Sequence, residues 1–420
     1  MFESTSDPVA LKFAEFTRWL EQCDEPGDSA AYIDRIRAEE NLRCALAARQ
    51  AKDTTDFVAK RTSEQRALGE PRSRVRRGIA KEVGLARRIS HFDATRYVGQ
   101  VGILTTELPE TFARLSAGET SEYRVLLVAR ETAWLAPEHR ATADREIAPQ
   151  LKDLGNRKTV ALAKQLAYRL DPHGYLARMR QAESERHVSV RPLPDNMVRL
   201  NATLPMKQGI AAYAALDAHA RRHTGVNGET RSRSQLMADT LVERVTGQAE
   251  ADQVSIQVNI VMTDQTLFNA GENSNEPAQV VGGDTIPAAL ARRMVLDTTG
   301  DAEVFLRRLY LNQSGQLAGM ESKARLFTAN QRHFLMLRDQ TCRTPWCDAP
   351  VRHYDHIDPA GRNGPTHTSN GQGLCEACNY AKQAPGWRQS VEDDEIVTTT
   401  PTGHVYRSRA PDLPGKPRVA

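Results

Sequence analysis

A mainly helical N-terminal region, a small α+β segment and a metal-braced C-terminal module are what this 420-residue chain predicts. Three observations carry that reading. Apolar residues recur at helical spacing from Asp7 to about Thr246, and the period changes to two at Val254. Four of the six cysteines (Cys342, Cys347, Cys375 and Cys378) then fall in one short segment. The expected division is 1–250 for the helical domain, 251–330 for the α+β connector, 331–395 for the cysteine module and 396–420 for a basic, Pro-containing, disordered tail.

The helices follow in order. Ile33, Ile36, Leu42, Ala45 and Leu46 lie close to the three-and-four spacing of a helical stripe, and the stretch runs on without Pro or Gly toward Leu68, so one long helix is predicted. A basic run, Pro71-Arg-Ser-Arg-Val-Arg-Arg, ends at Gly78 and reads as a solvated charged connector. Further helices are expected over 79–107, from Leu108, and over 121–135, 137–154 and 158–169. Gly118 closes one, Thr120 or Ser121 caps the next, and Pro137 sits where a first helical turn tolerates proline. Alternation over 188–204 predicts a hairpin, after which helix resumes at 208–222 and 232–246. The run Val-Ser-Ile-Gln-Val-Asn-Ile-Val-Met-Thr from Val254 is the clearest strand signal. A polar loop (269–275), a short helix (287–297) and small strands toward Thr328 follow.

Composition excludes several classes. With 56 basic and 53 acidic residues the net charge is +3, so the chain is neither a polybasic coat for nucleic acid nor an acidic tail protein. No stretch reaches the roughly 18 apolar residues of a membrane helix, and the first residues lack the basic-then-apolar order of a signal peptide. A cytoplasmic protein with no membrane partner is the expectation. In such a protein, clustered paired cysteines point to metal and not to a disulfide framework. Cys342-x4-Cys347 and Cys375-x2-Cys378, 27 residues apart, make two thiolate pairs of the kind that closes a tetrahedral structural zinc site. The isolated Cys23 and Cys44 read as small buried residues.

Between and after the pairs lie Tyr354-Asp355-His356-Ile357-Asp358-Pro359, Thr368-Ser369-Asn370, and, directly behind the last thiolate, Asn379 and then Lys382. In this ordered combination, over about residues 338–387, the sequence resembles the HNH nuclease superfamily. It is similar to the variant whose last histidine is asparagine and whose ββα-metal fold is braced by four cysteines. The resemblance implies a metal-dependent endonuclease of DNA. His356, as a neutral imidazole near pH 7, would be the general base. Asp355 and Asn379 would offer hard oxygens to a divalent cation, Mg²⁺ or Mn²⁺. Asn370, the motif's central Asn, would brace the loop and orient the base. Lys382 lies one helical turn beyond Asn379 and either contacts a flanking phosphate or is a solvated helix residue. His353 shares a strand face with Asp355, as an extra ligand or phosphate contact or as a partly exposed histidine. His367 is expected in a solvent-facing loop and His333 on a helix outside the site. Trp346 and Trp387 are expected to cover the module's small core.

A second resemblance spans most of the chain. Ala86-Arg-Arg-Ile-Ser, Gly118-Glu-Thr-Ser, Arg186-His-Val, Gln235-Leu-Met-Ala-Asp-Thr-Leu and the lead-in Arg338-Asp-x-x-Cys-Arg-x-Pro-x-Cys look like a bacterial group in which a long helical domain of unknown function precedes an HNH module. Asn363-Gly364 stands where many members of that group carry Gly-Gly. Two other readings compete with the nuclease. One is a zinc-braced nucleic-acid or protein interaction module without catalysis; the other is a helical scaffold that forms homo-oligomers.

Overall fold

The computed structural model describes residues 7–193, 197–226, 228–248, 260–263, 266–267, 277–280, 285–296 and 326–411. Contacts divide the chain into two compact units that are not sequential. Met1–Phe57 joins Gly99–Pro172, and Val58–Val98 joins His173–Ala420. The segment 58–98 thus belongs with the C-terminal residues, whereas the sequence places it inside an N-terminal domain ending at 250.

The first unit is helical. It holds α1 (Pro8–Leu20), the first part of α2 (Ser29–Ala67), most of α4 (His91–Glu107), then α5 (Pro109–Ser116), α6 (Glu122–Thr132), α7 (Pro137–Ile147) and α8 (Asn156–Leu170). Its core gathers Leu104, Leu108, Leu115, Val125, Val128, Ile147, Leu151 and Leu166, with Cys44 and Ala48 from α2. Leu108 cannot cap α5, and the Asp144 carboxylate does so from α7, accepting from the N–H groups of Glu110 (2.7 Å) and Thr111 (2.8 Å). Burial nevertheless pushes the Asp144 carboxyl above its ordinary range. Cys44 is buried as expected, but Cys23 is exposed, because it follows α1, a helix with no buried residue.

The stretch 79–107, which runs from the second unit into the first, is two helices, not one. α3 (Ile79–Arg87) stops where Arg88 turns left-handed at φ 57°, and α4 restarts with Ser90 Oγ accepting from the Asp93 N–H. α9 (Pro172–Ser184), α10 (Met206–His223) and α11 (Arg233–Thr246) flank a hairpin of β1 (His187–Leu193) and β2 (Met197–Thr203), paired from His187↔Thr203 to Leu193↔Met197. The sequence pattern does not anticipate α9. Most of the strand expected from Val254 and the stretches 269–275 and 301–325 lie outside the described residues. Within the connector stand β3 (Ile260–Val261), β4 (Ala278–Val280), β5 (Thr285–Ile286) and α12 (Ala288–Leu296).

The C-terminal elements are α13 (Ala329–Asp339), β6 (His353–His356), β7 (Gly371–Leu374), α14 (Glu376–Lys382) and the meander β8 (Arg388–Glu392), β9 (Glu395–Thr399), β10 (Val405–Ser408). Thr328 and Gln331 form a capping box that starts α13. The antiparallel β6–β7 ribbon followed by α14 is the ββα order that the motif implies. The tail corrects an expectation: β10 and all of β9 but Glu395 lie within 396–420 and are paired, Val405 opposite Thr399, and Arg343 Nη2 donates to the Ser408 carbonyl at 2.8 Å. Residues 412–420 lie outside the described residues.

Helix α3 is seated on α14 and the turn after it. Leu85 is buried with Ala384 and Trp387, and Thr402 Oγ1 donates to Glu82 Oε2 at 3.0 Å. Gly78, which begins α3, has φ +82°, and a Cβ there would come within 2.7 Å of Trp387 Nε1 and 3.3 Å of Ala384 Cβ. Conformation and space therefore both demand glycine. Gly78→Ala is expected to lower stability by at least about 1 kcal/mol in urea unfolding followed by Trp fluorescence; an unchanged midpoint would contradict this seating.

Candidate metal centre and active site

Two short loops bring the cysteines together. Cys342 N donates to the Ala349 carbonyl (2.9 Å) and Cys347 N to the Thr344 carbonyl (3.0 Å), which folds the first pair back on itself. Trp346 takes φ 59° at this turn and is 42% exposed, set edge-on to Tyr406. It does not cover the module's core; Trp387, 8% exposed, does. The second pair spans the first turn of α14, where Cys375 is the N-cap and its Sγ accepts from the Cys378 N–H at 3.4 Å.

All four cysteines are buried, and their sulfurs lie within 4.8 Å of one another. Cys347 Sγ is 3.8 Å from Cys375 Sγ and 3.7 Å from Cys378 Sγ. A disulfide needs about 2.05 Å. A zinc–sulfur bond of about 2.3 Å at a tetrahedral centre sets sulfurs about 3.8 Å apart. The two Cys347 separations match that spacing, and the four thiols could together hold one zinc ion. Hydrogen bonds from the other three hold the Cys342 thiol well below its ordinary value, so one member of the cluster is disposed to be thiolate.

The lead-in motif acquires a physical reason. Asp339, at the end of α13, is buried and accepts from Arg338 Nε (2.7 Å), Arg343 Nη1 (3.0 Å) and the Gly373 N–H (2.7 Å). Arg338 also donates to the carbonyls of Thr368 (2.8 Å) and Gly371 (2.7 Å). One carboxylate and two guanidiniums thus lock α13, the cysteine loop and β7 into one frame. In the sequence these three residues stand out only as a signature, with no indication that they meet.

On β6 the alternation of a strand separates the neighbours of the doublet. His353 and Asp355 face one side, Tyr354 and His356 the other. Asp355 Oδ2 pairs with Lys382 Nζ at 2.7 Å, the lysine side chain being only 8% exposed. The same Nζ donates to the His356 carbonyl. Lys382 is therefore a buried partner of Asp355 and not a solvated helix residue. Burial pushes its amine below the ordinary value while Asp355 pulls it back up. Asn379, on the same helix and 8% exposed, has its Oδ1 buried with no hydrogen-bond partner among the described residues. A buried carbonyl oxygen without a donor is costly, and its chemistry suits a hard cation or a bound water.

His356 is buried. Its ring lies 4.5 Å from that of Phe327, and its Nε2 shares a 3.0 Å hydrogen bond with Thr366 Oγ1. Sequence reasoning misses Thr366 and Phe327, for neither carries a motif signal. Asn370 closes the intervening loop: Oδ1 accepts from the Asp358 N–H (2.8 Å) and Nδ2 donates to the carbonyls of Asp358 (3.1 Å) and Pro365 (2.8 Å). Asn363 turns left-handed at φ 65°, a conformation asparagine tolerates, so the departure from Gly-Gly is accommodated. Gly364 has no such latitude, since a Cβ there would lie 2.0 Å from the Asp358 carbonyl oxygen. His353 sits 6.0 Å, ring to ring, from Tyr380 and is half-buried. His367 caps the turn Thr368–Asn370 by accepting from the Ser369 N–H at 3.1 Å. His333 is on α13. An open groove of about 380 Å³ borders this loop, lined by Asp358, Pro365, Ser369, Asn370 and Gln389 to Val391.

Fold and site define a helical protein with a C-terminal four-cysteine module. Residues 38–339 match the family described as Domain of unknown function (DUF222), and the chain belongs to that family. The match ends three residues before Cys342, so the cysteine module lies outside it. Uncharacterized protein Rv3776 of Mycobacterium tuberculosis is 27% identical over 446 aligned residues, covering 97% of this chain and 82% of the relative. Uncharacterized protein Rv2100 of the same species is 30% identical over 203 residues, 47% of this chain and 32% of the relative. No solved structure matches the chain. No described helix is long and apolar enough to cross a membrane.

Asp339→Asn leaves the buried Arg343 and the half-buried Arg338 without their shared carboxylate. It is expected to destabilise the C-terminal module by about 3–5 kcal/mol, the usual cost of breaking a buried ion pair from one side. Differential scanning calorimetry beside wild type checks this; an unshifted transition would contradict the hub.

Proposed function

We propose that the C-terminal module is a metal-dependent endonuclease that hydrolyses phosphodiester bonds in DNA, braced by a structural zinc ion on Cys342, Cys347, Cys375 and Cys378. The observation that carries this reading is the buried, unpartnered Oδ1 of Asn379 one residue beyond a cysteine of the cluster, on the helix whose Lys382 holds the Asp355 carboxylate. Cysteine, aspartate, the loop asparagine and the helical asparagine then stand in HNH order on a ββα frame.

Asp355 and Asn379 would hold the catalytic Mg²⁺ or Mn²⁺. When bound, that cation would supply positive charge to the phosphate and the leaving oxygen. His356 accepts the proton of the attacking water, and Thr366 fixes the ring by its bond to Nε2. Asn370 keeps the 358–365 loop closed over that ring's strand end, which makes it a positioning residue. Lys382 holds the Asp355 carboxylate in place through their 2.7 Å ion pair. DNA would approach along the groove beside Ser369 and Gln389 to Val391.

A second reading has its own observation. His356 faces away from Asp355 and is buried, and Lys382 already satisfies the carboxylate, which suits a zinc-braced binding module without catalysis. Supercoiled plasmid separates the two. The nuclease reading expects the full chain to nick it with Mg²⁺ or Mn²⁺, to stop with EDTA, and to lose about 100-fold or more in rate on His356→Ala or Asn379→Ala. Undiminished nicking by His356→Ala removes the assigned base. Absence of nicking with either cation, together with retained DNA in a gel-shift assay, establishes the binding module instead.

A further inference from the structure

Lys81 is the largest fully buried side chain of the described residues, 2% exposed, and its Nζ has no hydrogen-bond partner among them. An ammonium in that position needs a negative charge, for an isolated buried cation is among the most costly groups a fold can hold. The helical spacing says which way it points. Gly78, Lys81, Glu82 and Leu85 share the face of α3 that meets Ala381, Ala384 and Trp387. Ala381 in turn lies one helical turn after Cys378 on α14. Lys81 Nζ sits 4.8 Å over the ring of Trp387, which is buried with Ala384 just beyond the helix that carries Cys378.

The charges around it are of two kinds. Burial pushes the Lys81 amine down, and the groups that raise it are the four cysteine thiols, Cys378 first. Two basic side chains are coupled to it: His91 at the start of α4, whose imidazole burial depresses to about 4 and so leaves neutral at pH 7, and Lys382, whose own charge Asp355 answers. Zinc with four thiolates carries a net charge of −2, and a buried dianion is stabilised by a cation nearby.

We infer that Lys81, contributed by the DUF222 segment, is the fixed counter-charge of the four-cysteine zinc centre, so that the C-terminal module is completed by helix α3 from far earlier in the chain. The inference rests on the zinc reading. It gives the helical family domain a defined structural role, since this segment supplies a cation, a glycine contact and Leu85 to the module's core. The module without α3 would expose Trp387 and leave the thiolates uncompensated.

The test uses the full chain and reads zinc affinity by competition with a chromogenic chelator at pH 7. Lys81→Met keeps the length and packing of the side chain and removes the charge; Lys81→Arg keeps the charge. The expected result is zinc binding weakened about tenfold or more in folded Lys81→Met and near wild type in Lys81→Arg. Wild-type affinity in folded Lys81→Met would overturn the inference. Should Lys81→Met not fold, zinc-loaded wild type labelled with ¹⁵N at lysine Nζ decides: a Lys81 resonance at the ammonium position upholds the counter-charge and one at the neutral amine position overturns it. Failure of the underlying zinc reading is distinct, because wild type itself would then hold no zinc.

Discussion

Four buried sulfurs within 4.8 Å of one another are the constraint on which the C-terminal structure depends. The segment between the two cysteine pairs holds one four-residue strand, β6, and one more, β7, whose hydrogen bonds alone would not maintain a fold in water. Tying 342–347 to 375–378 closes that segment and fixes the first turn of α14. It thereby sets where Asn379 and Lys382 stand relative to Asp355. The buried Asp339 hub does the same work from the other side, joining α13 to β7 through two arginines. The positions proposed for the chemistry are thus held by groups to which no chemical step is assigned.

The module is not closed by its own residues. Gly78, Lys81, Glu82 and Leu85 come from the family domain and cover Ala384 and Trp387, and the meander β8 to β10 returns to Arg343. A domain description that cuts the chain at 250 or at 331 separates groups that are buried against one another. The match to the DUF222 family ends at residue 339, so the boundary of the family and the boundary of the packed unit do not coincide.

Much of this is legible in the sequence, where the signal is local. The long helix α2, the β1–β2 hairpin and α11 follow from periodicity, and the two thiolate pairs follow from spacing alone. What is not legible is non-local or rests on exposure. Nothing near Gly78 indicates Trp387, which packs against it from the far end of the chain. The exposure of Cys23 and Trp346 depends on what their neighbours fail to cover. The tail misleads through its composition: Pro and basic residues conceal the two short alternating strands 395–399 and 405–408. The inward turn of His356 against Phe327 follows from strand alternation once β6 is fixed, but the identity of its covering ring cannot be read from the motif.

The central claim is that one zinc ion on four sulfurs organises this end of the molecule. X-ray absorption at the zinc edge of the purified full chain tests it most directly. The account predicts a single shell of four sulfurs at about 2.3 Å. A shell containing nitrogen or oxygen, or protein that carries no zinc while its β6–β7 ribbon remains folded, would contradict it.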